Sequence, residues 1–359
     1  MEFYWILIWI AIAAAISFKY DFTAPETVMG RTVYRYNRVW TLILIFPLVL
    51  LTANRSNVGD TYNYIKGFAA MPESLSELGA YTETLSKDEG FYIFSALIRI
   101  LITRDVKVYF FILAAIQALL LFSVYRKYSA NLMVTFFLFI ASTDYISWMY
   151  NGIRQFLAVT ITFACLPLLL KKKYVPAILL CLLSSTIHGT ALLVIPFFFV
   201  VNGKAWNGKT LLFLLGVMTI VVFVDRFTPL LDNLLQETQY ENVVSDWRSW
   251  GDDGTNIFRV VVYSVPMILS VIGLRFIREA DNPVINLSVN MSIISTGFYI
   301  ISMFTSGIFI GRLPIYFSLY NYILLPWEIK HMFNKESSRL VYGVMVAAYL
   351  AFYVYSVNL

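Results

Sequence analysis

The stretch KKKYVPAILLCLLSSTIHGTALLVIPFFFVV, residues 171–201, decides how the chain is read. Behind three lysines runs an apolar segment, Tyr174–Val201, interrupted by His188-Gly189. A membrane-crossing helix needs about 20 apolar residues, with about 17–25 as the working range. This run is too long for one simple crossing. As a hairpin with His188 at its tip, it starts and ends on the side that carries Lys171, Lys172 and Lys173.

Working outward, apolar runs of similar kind recur at Phe3–Phe18, Val39–Ala53, Val108–Val124, Leu132–Trp148, Phe156–Leu170, Thr210–Val224, Ile257–Ile277, Val284–Phe304, Leu313–Trp327 and Leu340–Val357. The composition agrees: 59% of the 359 residues are apolar and 14% are charged. Soluble domains lie near 45–50% and about 25%. An ordinary soluble enzyme, a disordered scaffold and a small secreted domain are all excluded. The expected fold is an all-α polytopic membrane protein forming one integral membrane domain, residues 1–359. Cys165 and Cys181 lie inside apolar runs and the chain has 2 histidines, so neither a disulfide framework nor a metal site is expected.

Loop charge orders the spans. Glu89–Ile102 is short for a crossing and contains Arg99. If it stays on one side, every strongly basic loop falls on the other: Lys19 to Arg38, Arg126-Lys127, Lys171 to Lys173, Lys204 and Lys209, Arg275 and Arg278, and Lys330 to Arg339. The positive-inside rule selects this arrangement. It gives about twelve spans (11–13), both termini outside, and Glu89–Ile102 as a re-entrant or interfacial helix. Two long outer loops follow, residues 54–107 with short helices and residues 225–256, an acidic loop suited to a lid.

Polar groups then gather at the outer face. Asp144, Asn151, Arg154 and Gln155 lie where one span leaves and the next enters, and His188 tips the hairpin. Arg312 opens a span that continues with Tyr316, while Arg55, Asp60, Tyr62, Tyr64 and Glu89 occupy the first outer loop. Ionisable groups in membrane helices are costly and usually face a cavity or a partner. Each has a plainer reading: Arg154 and Arg312 as snorkelling side chains, His188 as a hairpin cap, Asp60 and Glu89 as helix caps, the tyrosines as interface aromatics. Convergence favours the functional one. Arg55, Arg154 and Arg312 come from distant parts of the chain, and arginine forks match phosphate oxygens. A histidine and carboxylates beside them suit proton transfer. The combination fits a lipid-linked phosphate that carries a sugar.

The motifs also resemble a known family. Asn151-Gly-Ile-Arg-Gln155 with Ala158 resembles the N-x-x-R-Q-x-x-A element of EpsG-type membrane proteins, and His188-Gly-Thr-Ala191 their H-x-(S/T)-A element. Upstream, Gly59-Asp-Thr-Tyr-Asn-Tyr64 and Glu89-Gly-Phe-Tyr92 resemble their outer-loop features, with glycine after Glu89 where proline is frequent. The resemblance implies a glycosyltransferase-C-like architecture and a Wzy-like polymerase of O-antigen, capsule or exopolysaccharide repeat units. It implies an undecaprenyl-diphosphate-linked oligosaccharide as substrate, in a bacterial cytoplasmic (inner) membrane, with the site facing the periplasm or exterior. A chain-length regulator and a flippase of the same pathway are the expected partners, besides the lipid bilayer itself; nucleic acid is not.

On this reading His188, Asp60 or Glu89 takes the proton of the acceptor hydroxyl, and Arg154 stabilises the departing diphosphate. Arg312, Arg55, Gln155, Asn151, Tyr62, Tyr64, Asp144 and Tyr316 bind substrate. No metal or cofactor is expected, since the arginines supply the positive charge. The rival readings are an O-antigen ligase-type transferase and a transporter or flippase of the lipid-linked repeat. Transporters tend to carry internal repeats and a midplane site; neither is evident here.

Overall fold

The computed structural model describes residues 2–235 and 255–358. The chain divides into two compact units, residues 1–195 with 339–359, and residues 196–338.

The first unit opens with α1 (Trp5–Lys19), followed by an antiparallel hairpin of β1 (Thr23–Val28) and β2 (Arg31–Tyr36). The hairpin corrects the all-α expectation at one loop. Its strands hold alternating Thr, Val and Tyr, which suit a pleated surface. Met29 (φ 51°) and Gly30 (φ 77°) form the two-residue turn between them, the doubly positive-φ pattern that matches strand twist. Helices α2 (Arg38–Ala53), α3 (Thr61–Ala69), α4 (Leu75–Glu83), α5 (Glu89–Leu101), α6 (Val106–Tyr128) and α7 (Leu132–Ala141) follow. A π-helical segment, Tyr145–Asn151, leads into α8 (Ile153–Ala164), α9 (Leu166–Leu170) and α10 (Tyr174–Ile187).

Helices α2, α6, α8 and α10 pack in that order, with α6 and α8 at the centre. Asparagines and an aspartate cap three helices of this unit: Asn37, Asp105 and Asn131 each accept backbone N–H groups of the first turn of α2, α6 and α7, which satisfies donors that a helix start leaves open. Past α10, the 3₁₀ turn Gly189–Val194 packs back on the helix, and the Cys181 thiol donates to the Ala191 carbonyl. The chain thus turns back on α10 just past His188, as far as Val194.

The two ends of this unit differ in charge. At one, Arg126 binds both carboxylate oxygens of Glu26 (2.6 and 3.2 Å) and Arg35 donates to the Lys127 carbonyl. At the other lie the end of α2, the starts of α6 and α8, and the short helices α3 to α5.

The second unit contains most of α11 (Ile195–Val200), then α12 (Gly208–Val222), α13 (Val224–Leu235), α14 (Ile257–Ile272), α15 (Leu274–Ala280), α16 (Pro283–Met303), α17 (Ile315–Ser318) and α18 (Asn321–Met332). Its axis is α16, which packs on α12, α14 and α18. Asn286 and Asn290 of α16 accept the N–H groups of Ala205 and Trp206, and so pin the loop before α12. On α18, Glu328 is 0% exposed and neither carboxylate oxygen finds a hydrogen-bond partner among the described residues. The last helix, α19 (Lys335–Val357), belongs to the first unit from Arg339 onward.

Among the described residues, four helices are long and apolar enough to cross a membrane, or up to six when each bent pair counts as one span. The other apolar helices are shorter, and the run expected at Leu132–Trp148 is bent by 69° where Thr143 takes φ 65°. Leu179, Leu183, Leu212, Leu215, Leu340 and Val344 are exposed on helix surfaces, where lipid rather than water is the fitting solvent. Of the acidic loop 225–256, α13 accounts for the first part; residues 236–254, with Glu237, Glu241, Asp246, Asp252 and Asp253, lie outside the described residues.

Candidate functional site

The site of the first unit is assembled by a backbone irregularity. After the π-helical turn, Asn151 projects toward the loop before α3, and its Oδ1 accepts the Asp60 N–H at 3.0 Å. Gly59 has φ 56°, and a Cβ there would stand 2.9 Å from Asn151 Cγ. Only glycine fits, by conformation and by space. The Gly59-Asp60 pair and Asn151, separate in sequence, form one junction.

Three residues on, at the start of α8, Arg154 Nη1 donates to Asp88 Oδ2 (2.8 Å) and to the Tyr92 hydroxyl (3.1 Å). Asp88 is left-handed (φ 53°) and ends the loop before α5, with its side chain 3% exposed. The Gly189 N–H also donates to this carboxylate. Burial pushes the Asp88 pKa above the usual carboxylate range, against the opposing pull of Arg154 and Gly189. Gly90 lets α5 approach α10: a Cβ at Gly90 would lie 2.8 Å from Thr186 Cβ. Asp88 therefore ties the Arg154 end of α8 to the His188-Gly189 tip. His188 is itself buried, with Nδ1 2.7 Å from the Thr190 hydroxyl.

A cavity of about 200 Å³ opens here, lined by Asp60, Tyr64, Phe91, Tyr92, Tyr109 and Arg154 among others. It is smaller than the ~300–1,000 Å³ of typical ligand pockets, a size for one head group or sugar ring rather than a whole oligosaccharide. Burial raises the Tyr64 pKa, with Arg154 acting the other way. The Tyr64 hydroxyl therefore stays protonated near neutral pH, and it can donate to an anion.

Of the residues singled out in the sequence, Asp60, Tyr64 and Arg154 line the cavity, Asn151 braces it, and His188 is outside the lining, next in sequence to the Gly189 N–H that meets Asp88. Tyr62 and Glu89 are exposed outside the lining, Gln155 is buried in α8, and Asp144 is buried at the bend after α7. Arg55 is spent on structure. It donates to the carbonyls of Thr52, Met149 and Tyr150 and lies 4.0 Å from the centre of the Phe110 ring. Burial lowers its pKa to about 10. Exposed Arg312 and buried Tyr316 belong to the second unit. Asp88 and Tyr92 were not singled out, although both stand in the Asp88-Glu-Gly-Phe-Tyr92 string; the left-handed turn at Asp88, which turns it toward Arg154, leaves no mark in the pattern. Among the described residues no group of three or more His, Cys, Asp or Glu could hold a metal ion.

Fold and site define a helical membrane protein with an arginine–carboxylate–tyrosine cavity at the end of the first unit away from its basic loops. The sequence profile of the EpsG family matches residues 38–358, and the chain belongs to that family. Neither a curated protein nor a solved structure matches it. Family membership carries, at a coarse level, the role of a membrane polysaccharide polymerase of glycosyltransferase type.

Proposed function

We propose that this protein polymerises undecaprenyl-diphosphate-linked oligosaccharide repeat units at the outer leaflet of the bacterial cytoplasmic membrane. It would do so as a chain of about twelve spans with the Arg154 cavity facing outward. The observation that carries the reading is the Arg154–Asp88–Tyr92 arrangement over a cavity with Asp60 and Tyr64, in an EpsG-family chain.

In this mechanism a hydroxyl oxygen of the incoming repeat attacks the anomeric carbon of the growing glycan. The bond from that carbon to the lipid diphosphate breaks, and the diphosphate leaves with the electron pair. Negative charge grows on it as the bond lengthens, so a fixed cation stabilises the transition state more than the ground state. Arg154 has that role, with the Tyr64 and Tyr92 hydroxyls as further donors. Arg154 supplies the charge that a metal would otherwise bring, and synthesis is expected to continue in a chelator. The hydroxyl proton passes to one of two groups: Asp60, which lines the cavity, or His188, which adjoins the Gly189 N–H bound to Asp88.

The test is a product assay on the protein in lipid, supplied with its lipid-linked repeat. A ladder spaced by one repeat on the lipid diphosphate, lost in Arg154→Ala, is the expected result. Outward movement of the intact repeat without a ladder identifies a transporter. Transfer of finished glycan to a different lipid acceptor identifies a ligase.

A further inference from the structure

At the other, basic end of the first unit a second cavity, of about 510 Å³, opens between β1, α2, α6 and the α8–α9 junction. Its size is that of an established ligand pocket. Its two ends differ chemically. Arg38, Arg126 and Lys127 stand at the polar end against one carboxylate, Glu26. Glu26 is already held by Arg126 through both oxygens. Arg38 and Lys127 form no ion pair among the described residues. The other end is apolar, and its walls include Leu42 and Leu119, which are 49% and 47% exposed on the outer helix surface. The cavity therefore runs from a cationic mouth to a face suited to lipid.

The charge balance and the continuous apolar wall fix the chemistry of the occupant. It carries a phosphate and at least one acyl chain. A soluble anion would leave Leu42 and Leu119 unused, and a neutral lipid would leave three cations, Arg38, Arg126 and Lys127, balanced only by the carboxylate of Glu26. The basic loops put this end on the cytoplasmic side, where acidic lipids create a negative surface and basic pockets between helices take their head groups. We infer that the cavity between α2 and α6 is a binding site for an anionic phospholipid of the inner leaflet. The phosphate sits among Arg38, Lys127 and Arg126, and an acyl chain lies along Leu42 and Leu119. The site is separate from the Arg154 cavity and does not depend on the polymerase reading.

The test uses the full-length protein in nanodiscs of phosphatidylcholine doped with phosphatidylglycerol, followed by native mass spectrometry and thermal unfolding. Wild type should retain phosphatidylglycerol over phosphatidylcholine by at least tenfold, and raising its fraction should raise the melting temperature. The Arg38→Gln/Lys127→Gln variant, which leaves the Glu26–Arg126 pair intact, should lose that preference and the melting shift. Its circular dichroism should match wild type, so that loss of binding is told from loss of fold. As a second variant, Leu42→Asp should weaken retention while leaving the cations in place. Equal retention of the two lipids by wild type overturns the inference, as does an unchanged preference in the double variant. Displacement of the lipid by millimolar inorganic phosphate also overturns it, since the site would then read a free anion.

Discussion

The Arg154–Asp88 pair allows a prediction whose size can be worked out. At an effective dielectric of about 20, unit charges 2.8 Å apart attract by at most about 6 kcal/mol. Much of this is offset by desolvating Asp88, whose side chain is 3% exposed, while that of Arg154 is 26% exposed and partly screened. Exposed pairs are worth about 0–1 kcal/mol, and breaking a buried pair by removing one partner costs about 3–5 kcal/mol. The net coupling should fall between these limits, at about 2–3 kcal/mol. A double-mutant cycle of Asp88→Asn and Arg154→Gln, read by equilibrium unfolding in mixed micelles, measures it directly. The ladder assay adds a second axis. Arg154→Gln should lose about 10²–10³ in rate, as removal of a preorganised charge-stabilising group does. Asp88→Asn should lose stability yet keep the ladder, because its cation remains in place. A coupling below about 0.5 kcal/mol would show that the pair is an incidental surface contact. A full ladder from Arg154→Gln would remove this arginine from the chemistry.

Four further outcomes follow from other contacts. His188→Ala, at normal membrane abundance, should lose about 10²–10⁴ in polymerisation rate if His188 is the base; full activity there transfers the role to Asp60, and Asp60→Asn then shows the loss. Gly90→Ala should cost about 1–3 kcal/mol because the new methyl meets Thr186 at 2.8 Å, and an unchanged melting temperature would mean that α5 and α10 shift apart freely. Arg126 holds the Glu26 pKa below its usual value of about 4.3. This contribution is full above the unfolded value and is lost as pH falls through the lowered folded one, so Glu26→Gln should flatten the fall in melting temperature below about pH 5. Glu328→Met should raise stability by about 1–3 kcal/mol, since it removes a buried carboxyl without a hydrogen-bond partner among the described residues; a lower melting temperature would reveal a partner for that acid.

What the sequence made legible is what hydropathy and charge encode over many residues. The run at Val284–Phe304 is α16 almost to the residue, and Val108–Val124 lies within α6. The grouping of Arg35, Arg38, Arg126 and Lys127 at one end is seen in the structure as direct contact and a shared cavity. Features set by single dihedrals were not legible. Thr143 at φ 65° bends the run after α7, and Asp88 at φ 53° turns toward Arg154; nothing in the periodicity marks either one. The β-hairpin escaped for a related reason: a polar loop with lysines and arginines at its ends counts as topology, and its Met29-Gly30 turn is weaker than an Asn-Gly pair.

The arginines show why counting charges finds a site only in part. Arg55 and Arg154 look equivalent in the sequence, both at the outer end of a span and both near aromatic residues. Their partners differ in kind. Arg55 is held by the carbonyls of Thr52, Met149 and Tyr150 and lies over the Phe110 and Tyr150 rings. Those acceptors are fixed in the backbone, and pulling the guanidinium toward a substrate would break hydrogen bonds from a charged donor, at about 1.5–3 kcal/mol each. Arg154 is held by a carboxylate and two tyrosine side chains at the wall of a cavity. Arg154 meets Asp88 through one contact, Nη1 to Oδ2, and a phosphate oxygen of a diphosphate can take that place at the guanidinium, while Asp88 keeps the Gly189 N–H. The exchangeable partner, rather than the charge itself, separates the arginine that can meet substrate from the one that holds the α2 terminus to the π-helical turn.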